Sequence, residues 1–197
     1  MRKVLPVSFF DRAPELVARD LLGAVLIRRT AAGRTAGRIV ETEAYLAEND
    51  SASHAFRGMT RRNASMFGRP GRAYVYAIHS RYCVNAVTQS PGVGSAVLIR
   101  AVDPLQGLPL MQERRKGCSV ANLTCGPARL CEAFAIDRDS DSLLLSPANG
   151  LWIEAGELVA DEHVAVTPRI GVTSAQDLLL RFIDMTSVNL SRPFRVR

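Results

Sequence analysis

Short runs of Val, Ile, Leu, Tyr and Ala recur along the chain, and Gly, Pro, Ser and Asn punctuate them at strand-like intervals. Residues Ala24 to Arg28, Gly37 to Tyr45, Ala73 to Ile78, Tyr82 to Thr88 and Ser95 to Val102 predict β-strands. Helical spacing is rarer. Leu16, Val17 and Leu21 share one face of a helix from Ala13 to Leu22, with Asp11 as cap and Gly23 as stop. Pro104 begins a polar connection or short helix reaching Lys116, and Gly126-Pro127 opens a second helix to Ile136. The turn Pro147-Ala-Asn-Gly150 predicts a hairpin between Leu143–Leu145 and Leu151–Glu154. Val164 to Val172 reads as strand and Ala175 to Ile183 as helix. Hairpins outnumber βαβ units, which predicts an α+β fold: one domain over residues 1–197, with a curved, mainly antiparallel sheet and a few packed helices.

Composition narrows the classes. With 197 residues, 47% hydrophobic and 22% charged, the chain has ordinary globular composition, and no repeat or low-complexity linker divides it. Its longest apolar run, Leu21 to Ile27, is far short of the roughly 20 residues that cross a bilayer. No apolar leader stands at the N-terminus, so an intracellular, membrane-free protein is expected. Cys83, Cys118, Cys125 and Cys131 contain no C-x-x-C pair, which favours reduced, buried thiols over disulfides or zinc.

Charge adds a direction. The net charge is +6, and only Lys3 and Lys116 among the basic residues are not arginine. Residues 51–102 carry Arg57, Arg61, Arg62, Arg69, Arg72, Arg81 and Arg100 without one acid, whereas residues 132–163 carry eight acids and one Arg. Arginine forks phosphate oxygens, so the basic third points one face at a polyanion.

Alternation places Glu41, Glu43 and Tyr45 on one face of a strand. Either these acids pair with arginines on neighbouring strands or, with His54 and the tyrosines Tyr74 and Tyr76, they line a pocket that stacks a flat ligand. Two further readings share the same residues. Glu41, Glu43, Asp50 and His54 would suit a divalent-metal nuclease, and the arginines alone would suit a basic nucleic-acid-binding module. Ser90-Pro-Gly-Val-Gly94 looks like the glycine-rich end of a helix-hairpin-helix, but strand-like runs flank it, which makes it a turn.

Arg38-Ile-Val-Glu-Thr-Glu-Ala-Tyr45, His54, Arg62-Asn63, Met66-Phe67, Pro70-Gly71 and Tyr74-Val-Tyr76 together resemble the alkyladenine (3-methyladenine) DNA glycosylase family. Asn85, Gly92-Val-Gly94, Val97 to Ala101, Gly126-Pro127, Arg169 to Val172 and Leu180 to Phe182 continue the resemblance in order. It implies a monomeric, cofactor-free and metal-free enzyme that binds damaged duplex DNA, rotates an alkylated or deaminated purine out of the stack and hydrolyses its glycosidic bond. By the same match, Glu43 activates the water and Arg100 holds it. Tyr45, His54 and Tyr76 enclose the base, with Asn85 at the pocket floor. Arg57, Arg61, Arg62 and Arg81 are expected on the DNA backbone. The chain departs from the family after Tyr76, where a gap-filling tyrosine is usual and His79-Ser80-Arg81 stands instead. His79 is the expected wedge, with Arg81 as the other choice.

Overall fold

The longest strand, Gly33–Tyr45, organises the rest because three other strands hydrogen-bond along its two edges. The computed structural model describes residues 2–78 and 80–194. Among these, α1 (Val7–Phe10) and α2 (Pro14–Asp20) precede the hairpin β1 (Val25–Thr30) and β2 (Gly33–Tyr45). Then come β3 (Ala73–Ile78), β4 (Arg81–Val87), β5 (Ala96–Gln106), α3 (Leu108–Arg114) and α4 (Pro127–Phe134). Three short strands, β6 (Leu151–Glu154), β7 (Val164–Thr167) and β8 (Arg181–Asp184), complete an eight-stranded antiparallel sheet. Its main path runs β3-β4-β5-β2-β1-β6, while β8 pairs with the far end of β2 and with β7. The α+β expectation holds.

Apolar alternation explains which face each helix covers. α2 packs on β2 and β5, α4 on β4 and β5, and α3 against α4. Val17 and Ala18 of α2, Leu21 just after it, and Leu130 and Phe134 of α4 join Ala44, Val97 and Ile99 in the principal core. Burying the Val, Leu, Ile and Phe side chains among these fully contributes about 1.5–3 kcal/mol each. β2 and β5 approach so closely at Gly37 that a Cβ there would lie 2.5 Å from Val102 Cγ2, which only glycine avoids. On the reverse face, Ala55, Met66, Tyr74, Val87 and Ala96 form a smaller cluster, with Tyr45, Phe67 and Tyr76 at its edge.

Several local expectations fail for identifiable reasons. Asp11 does not cap α2; Ala13 precedes it without a side-chain cap, and Pro14 supplies the start. β2 begins at Gly33 because a two-residue turn joins it to β1, and β5 continues through Pro104 to Gln106 before α3 starts. Leu143–Leu145 is not a strand, and β6 pairs instead with β1. Pro147–Asn149 is a 3-10 turn, and one isolated bridge, Ser146 to Leu151, is what remains of the expected hairpin. Pro168 ends β7 after Thr167. The expected helix from Ala175 to Ile183 is absent: Ala175 has φ of 48°, and Arg181–Asp184 alternates as a strand against β2. The Ser90–Gly94 segment does connect two strands, as expected. All four cysteines are free, but Cys118 and Cys125 are only half-buried.

Candidate active site

A paired irregularity in β2 and β5 creates the site face. Val40 and Arg100 have no cross-strand partner, although Ile39 pairs with Val102 and Thr42 with Ile99. Ile39 and Val102 belong to the principal core, as do Ala44 and Ile99. Strict alternation would place Glu41 with Ile39 and Arg100 with Val102. The two extra residues reverse the alternation, which turns Glu41, Glu43 and Arg100 to the opposite face.

That face carries a buried ionic network. Glu41 and Glu43 are fully buried. Arg100 donates from Nε to Glu41 Oε1 (2.9 Å), from Nη1 to Glu43 Oε2 (3.0 Å) and from Nη2 to Ser191 Oγ (3.1 Å). Arg181 Nε also donates to Glu41 Oε1 at 2.7 Å, while the Ser191 amide and hydroxyl bond the same carboxylate. Burial alone would raise the Glu41 pKa, but Arg100 and Arg181 hold it below its ordinary value. Burial likewise opposes the Arg100 charge, and Glu43 and Glu41 more than compensate, so its pKa rises. Glu43 receives two further donors, Tyr45 Oη on Oε2 (3.0 Å) and the Ile170 amide on Oε1 (2.7 Å). Burial, followed by the neighbouring Glu43 charge, pushes the Tyr45 phenol pKa up, so it remains a donor at neutral pH.

A cavity of about 250 Å³ opens beside this network, lined in part by Tyr45, His54, Tyr76 and Asn85, which are the four residues expected around a base. Cross-strand pairing of β3 and β4 sets Tyr74 opposite Asn85, whose Nδ2 donates to the Tyr74 carbonyl at 2.9 Å. His54 Nδ1 lies 2.7 Å from the Tyr74 hydroxyl, and its ring meets Tyr76 edge-on at 4.6 Å between centroids. Glu43 lies behind Tyr45 and reaches the cavity through that hydroxyl. A wider groove shares His54, Tyr74 and Tyr76 with the cavity and adds Arg57 and Arg62 on its walls. Arg61 is exposed nearby in sequence but does not line the groove, and Arg81 stands at the start of β4. His79, the expected wedge, lies outside the described residues.

The acidic strand face thus has both features: the carboxylates pair with arginines, and the aromatic pocket adjoins them. The metal-ligand set does not assemble. Both Asp50 oxygens accept from Arg169 at 2.6 Å, and among the described residues no three His, Cys, Asp or Glu side chains converge as ligands would. The sequence gives no site role to Arg169, although Arg169 to Val172 belongs to the family resemblance. Arg169 donates to the Ala44 carbonyl and lies 4.6 Å from the Tyr45 ring centre, so it fixes that ring from below. Ser191, Arg181 and the Ile170 amide were missed too, because each acts across more than 120 residues of sequence.

A carboxylate held by three donors lies beside an aromatic pocket and an arginine-lined groove, and comparison with known proteins places the chain in a class. The family model for methylpurine-DNA glycosylase matches residues 8–187, and the chain belongs to that family. It is 46% identical over 183 residues to a protein of Rhodopirellula baltica, covering 90% of this chain and 78% of the other. Identity to a Methanocella arvoryzae protein is 45% over 194 residues, or 96% of each chain. A Carboxydothermus hydrogenoformans protein is 44% identical over 180 residues, covering 91% and 94%. Each of the three bears the name "Putative 3-methyladenine DNA glycosylase". No helix among the described residues is long and apolar enough to cross a membrane.

Proposed function

We propose that this chain excises alkylated or deaminated purines from duplex DNA, as a monomer without a cofactor, by turning the damaged nucleotide into the aromatic cavity. The observation that carries the reading is Glu43, a buried carboxylate bonded to Arg100, Tyr45 and the Ile170 amide at the edge of a pocket lined by three tyrosines, a histidine and an asparagine among others. Tyr45 and Tyr76 offer electron-rich faces to a cationic base such as 3-methyladenine, a preference of about 0.5–2 kcal/mol over a neutral one. The volume, below the roughly 300 Å³ at which drug-sized pockets begin, suits a single base. His54 bonds the base edge, and Asn85 at the floor opposes the exocyclic amine of guanine.

In the chemical step the oxygen of a water bonds to the anomeric carbon while the glycosidic carbon–nitrogen bond breaks. The departing base keeps the electron pair, so a cationic alkylpurine leaves neutral and needs no protonation, whereas a neutral purine such as hypoxanthine leaves as an anion that takes its proton from solvent. Glu43 receives the water's proton, and Arg100 orients both. The product is an intact abasic strand. A strand-cutting lyase needs an amine nucleophile, whereas Lys3 sits beside β6 and Lys116 follows α3, and neither lines the cavity or the groove.

An excision assay on duplexes bearing 3-methyladenine, 7-methylguanine, hypoxanthine or ethenoadenine tests this reading. Glu43→Gln is expected to lower the single-turnover rate by about 10²–10⁴-fold with lesion-DNA affinity kept within a few fold. A variant within about tenfold of the parent rate would assign the base elsewhere.

A further inference from the structure

The segment after β8 reaches the ionic network without joining the sheet. Residues 188–191 make no backbone–backbone hydrogen bond among the described residues. Side chains moor the segment instead. Ser187 Oγ and Asn189 Nδ2 donate to Asp103 Oδ1 of β5 at 2.6 and 2.8 Å, and Ser191 closes on Glu41 of β2. Val188, 93% exposed, adds no apolar burial to that mooring. Both of its anchor points are therefore carboxylates, and the second belongs to the network around Glu43.

Ser191 makes three contacts there. Its amide donates to Glu41 Oε2 at 2.6 Å, its hydroxyl donates to Glu41 Oε1 at 2.7 Å, and the same hydroxyl accepts from Arg100 Nη2 at 3.1 Å. A hydroxyl does both at once because it carries one donor and free acceptor lone pairs. The Arg100 guanidinium is thereby engaged at three corners, on Glu41 through Nε, on Ser191 through Nη2 and on Glu43 through Nη1. Its fork is planar and rigid, so the two corners held by Glu41 and Ser191 dictate where the third meets Glu43. Without the hydroxyl one corner is loose. Tyr45 and the Ile170 amide still bond Glu43, so the carboxylate stays in the site but loses the fixed point that sets its plane.

We propose that Ser191 is a positioning residue for the hydrolysis: through Arg100 and Glu41 it sets the orientation of the Glu43 carboxylate, which makes residues 187–191 a working part of the site. The proposal rests on the excision reading above and deepens it. Neither Ser191 nor Glu41 lines the base cavity or the groove, so their influence on the chemistry passes through Arg100. Glu41 is in this account a holder of the arginine and not a second base. Its Oε1 already accepts from Arg100, Arg181 and Ser191, which leaves that oxygen no room for a water's proton.

The test measures single-turnover excision, lesion-duplex affinity and thermal unfolding side by side. Ser191→Ala removes the hydroxyl and keeps the amide, and its rate is expected to fall about 10–100-fold, the scale of a misplacement of about 1 Å. Affinity for the lesion duplex should stay at the parent value. Ser191→Thr should restore most of the rate, and Ser191→Cys, a weaker donor and acceptor, should fall between the two. In the Glu43→Gln background Ser191→Ala should lower the rate no further, because no carboxylate remains to orient. If Ser191→Ala melts below the assay temperature, Ser191→Cys against Ser191→Thr carries the comparison. A Ser191→Ala rate equal to that of the parent overturns the proposal, as does an equal loss in both backgrounds, which would put the effect outside Glu43. Affinity falling in step with the rate also overturns it, by making Ser191 a DNA contact. A parent chain that excises no damaged purine sinks the excision reading and this proposal with it, whereas a parent that excises while Ser191→Ala keeps pace sinks the role of Ser191 alone.

Discussion

The two faces of the β2–β5 pair are equally dry and chemically opposite. Toward α2, Ala44, Val97 and Ile99 pack as hydrocarbon, and Thr42 satisfies its hydroxyl on the Ala18 carbonyl at 2.8 Å. On the other face Glu41, Glu43 and Arg100 are buried to nearly the same degree, as ions. Apolar burial stabilises the first face directly, whereas desolvating three ions costs several kcal/mol each and is offset only by their mutual bonds. A buried ion network of this kind is weak support for stability. It is retained where geometry matters, and the donors converging on Glu43 supply a fixed carboxylate that hydrocarbon packing cannot.

The sharpest way to break this contrast is to remove one member of each face. Arg100→Met leaves Glu41 and Glu43 buried without their shared cation, so a loss of about 3–5 kcal/mol is expected, along with excision reduced at least as far as in Glu43→Gln. Ile99→Ala should cost a similar 2–5 kcal/mol through its cavity. Excision per folded molecule should nevertheless stay near the parent value, because the Ile99 side chain belongs to the apolar core on the face opposite the ions. Denaturant unfolding and single-turnover excision, measured on both variants, decide it. Loss of chemistry in Ile99→Ala at temperatures where it is folded would show that the two faces are not separable.

Much of this contrast was legible in the sequence, and the limits have physical causes. Period-two alternation put Glu41, Glu43 and Tyr45 on one face, and the resemblance to the glycosylase family brought Arg100, His54, Tyr76 and Asn85 to the same place. Alternation alone does not reveal the irregularity at Val40 and Arg100, since an unpaired residue is a property of two strands and not of either one. The contacts of Arg169 and Ser191 are not legible for a related reason: their partners are Asp50 and Glu41, and nothing local marks a contact made across such a span, even where, as for Arg169, the motif itself belongs to the resemblance. Leu180 to Asp184 shows the opposite error. Its apolar residues fit either period, and pairing with β2 decided for strand.

Acid should separate the faces by a smaller margin. Burial would raise the pKa values of Glu41, Asp50 and Asp184, but Arg100 and Arg181, Arg169, and Thr186 with Arg38 respectively hold them below 4.5, 3.8 and 3.8. Groups with depressed folded-state pKa values contribute stability that is full above those unfolded-state values and is lost as pH falls through the folded ones. Thermal stability is therefore expected to be flat from neutrality to about pH 5 with respect to these groups and to fall below it. Glu41→Gln should flatten the fall. An unchanged acid slope in that variant would mean that the ionic face contributes nothing to it.

The smallest effect concerns the exposed arginines, whose charge lies outside both buried faces. Arg57 and Arg62 line the groove beside the base cavity, whereas Arg61, although adjacent in sequence, does not. Phosphates carry no lesion information, so neutralising a groove arginine should weaken damaged and undamaged duplexes alike. Each phosphate contact removed lowers the slope of log affinity against log salt by about 0.9. Arg62→Gln is expected to show that change, with folding stability within about 0.5 kcal/mol of the parent. Arg61→Gln should alter the slope less, because its guanidinium meets the duplex without a groove to hold it. Titrations of both variants with lesion and plain duplexes at several salt concentrations test the ranking. Equal slopes for the two would extend the DNA-binding face beyond the groove, and a loss confined to lesion DNA would move Arg62 from the backbone to the base.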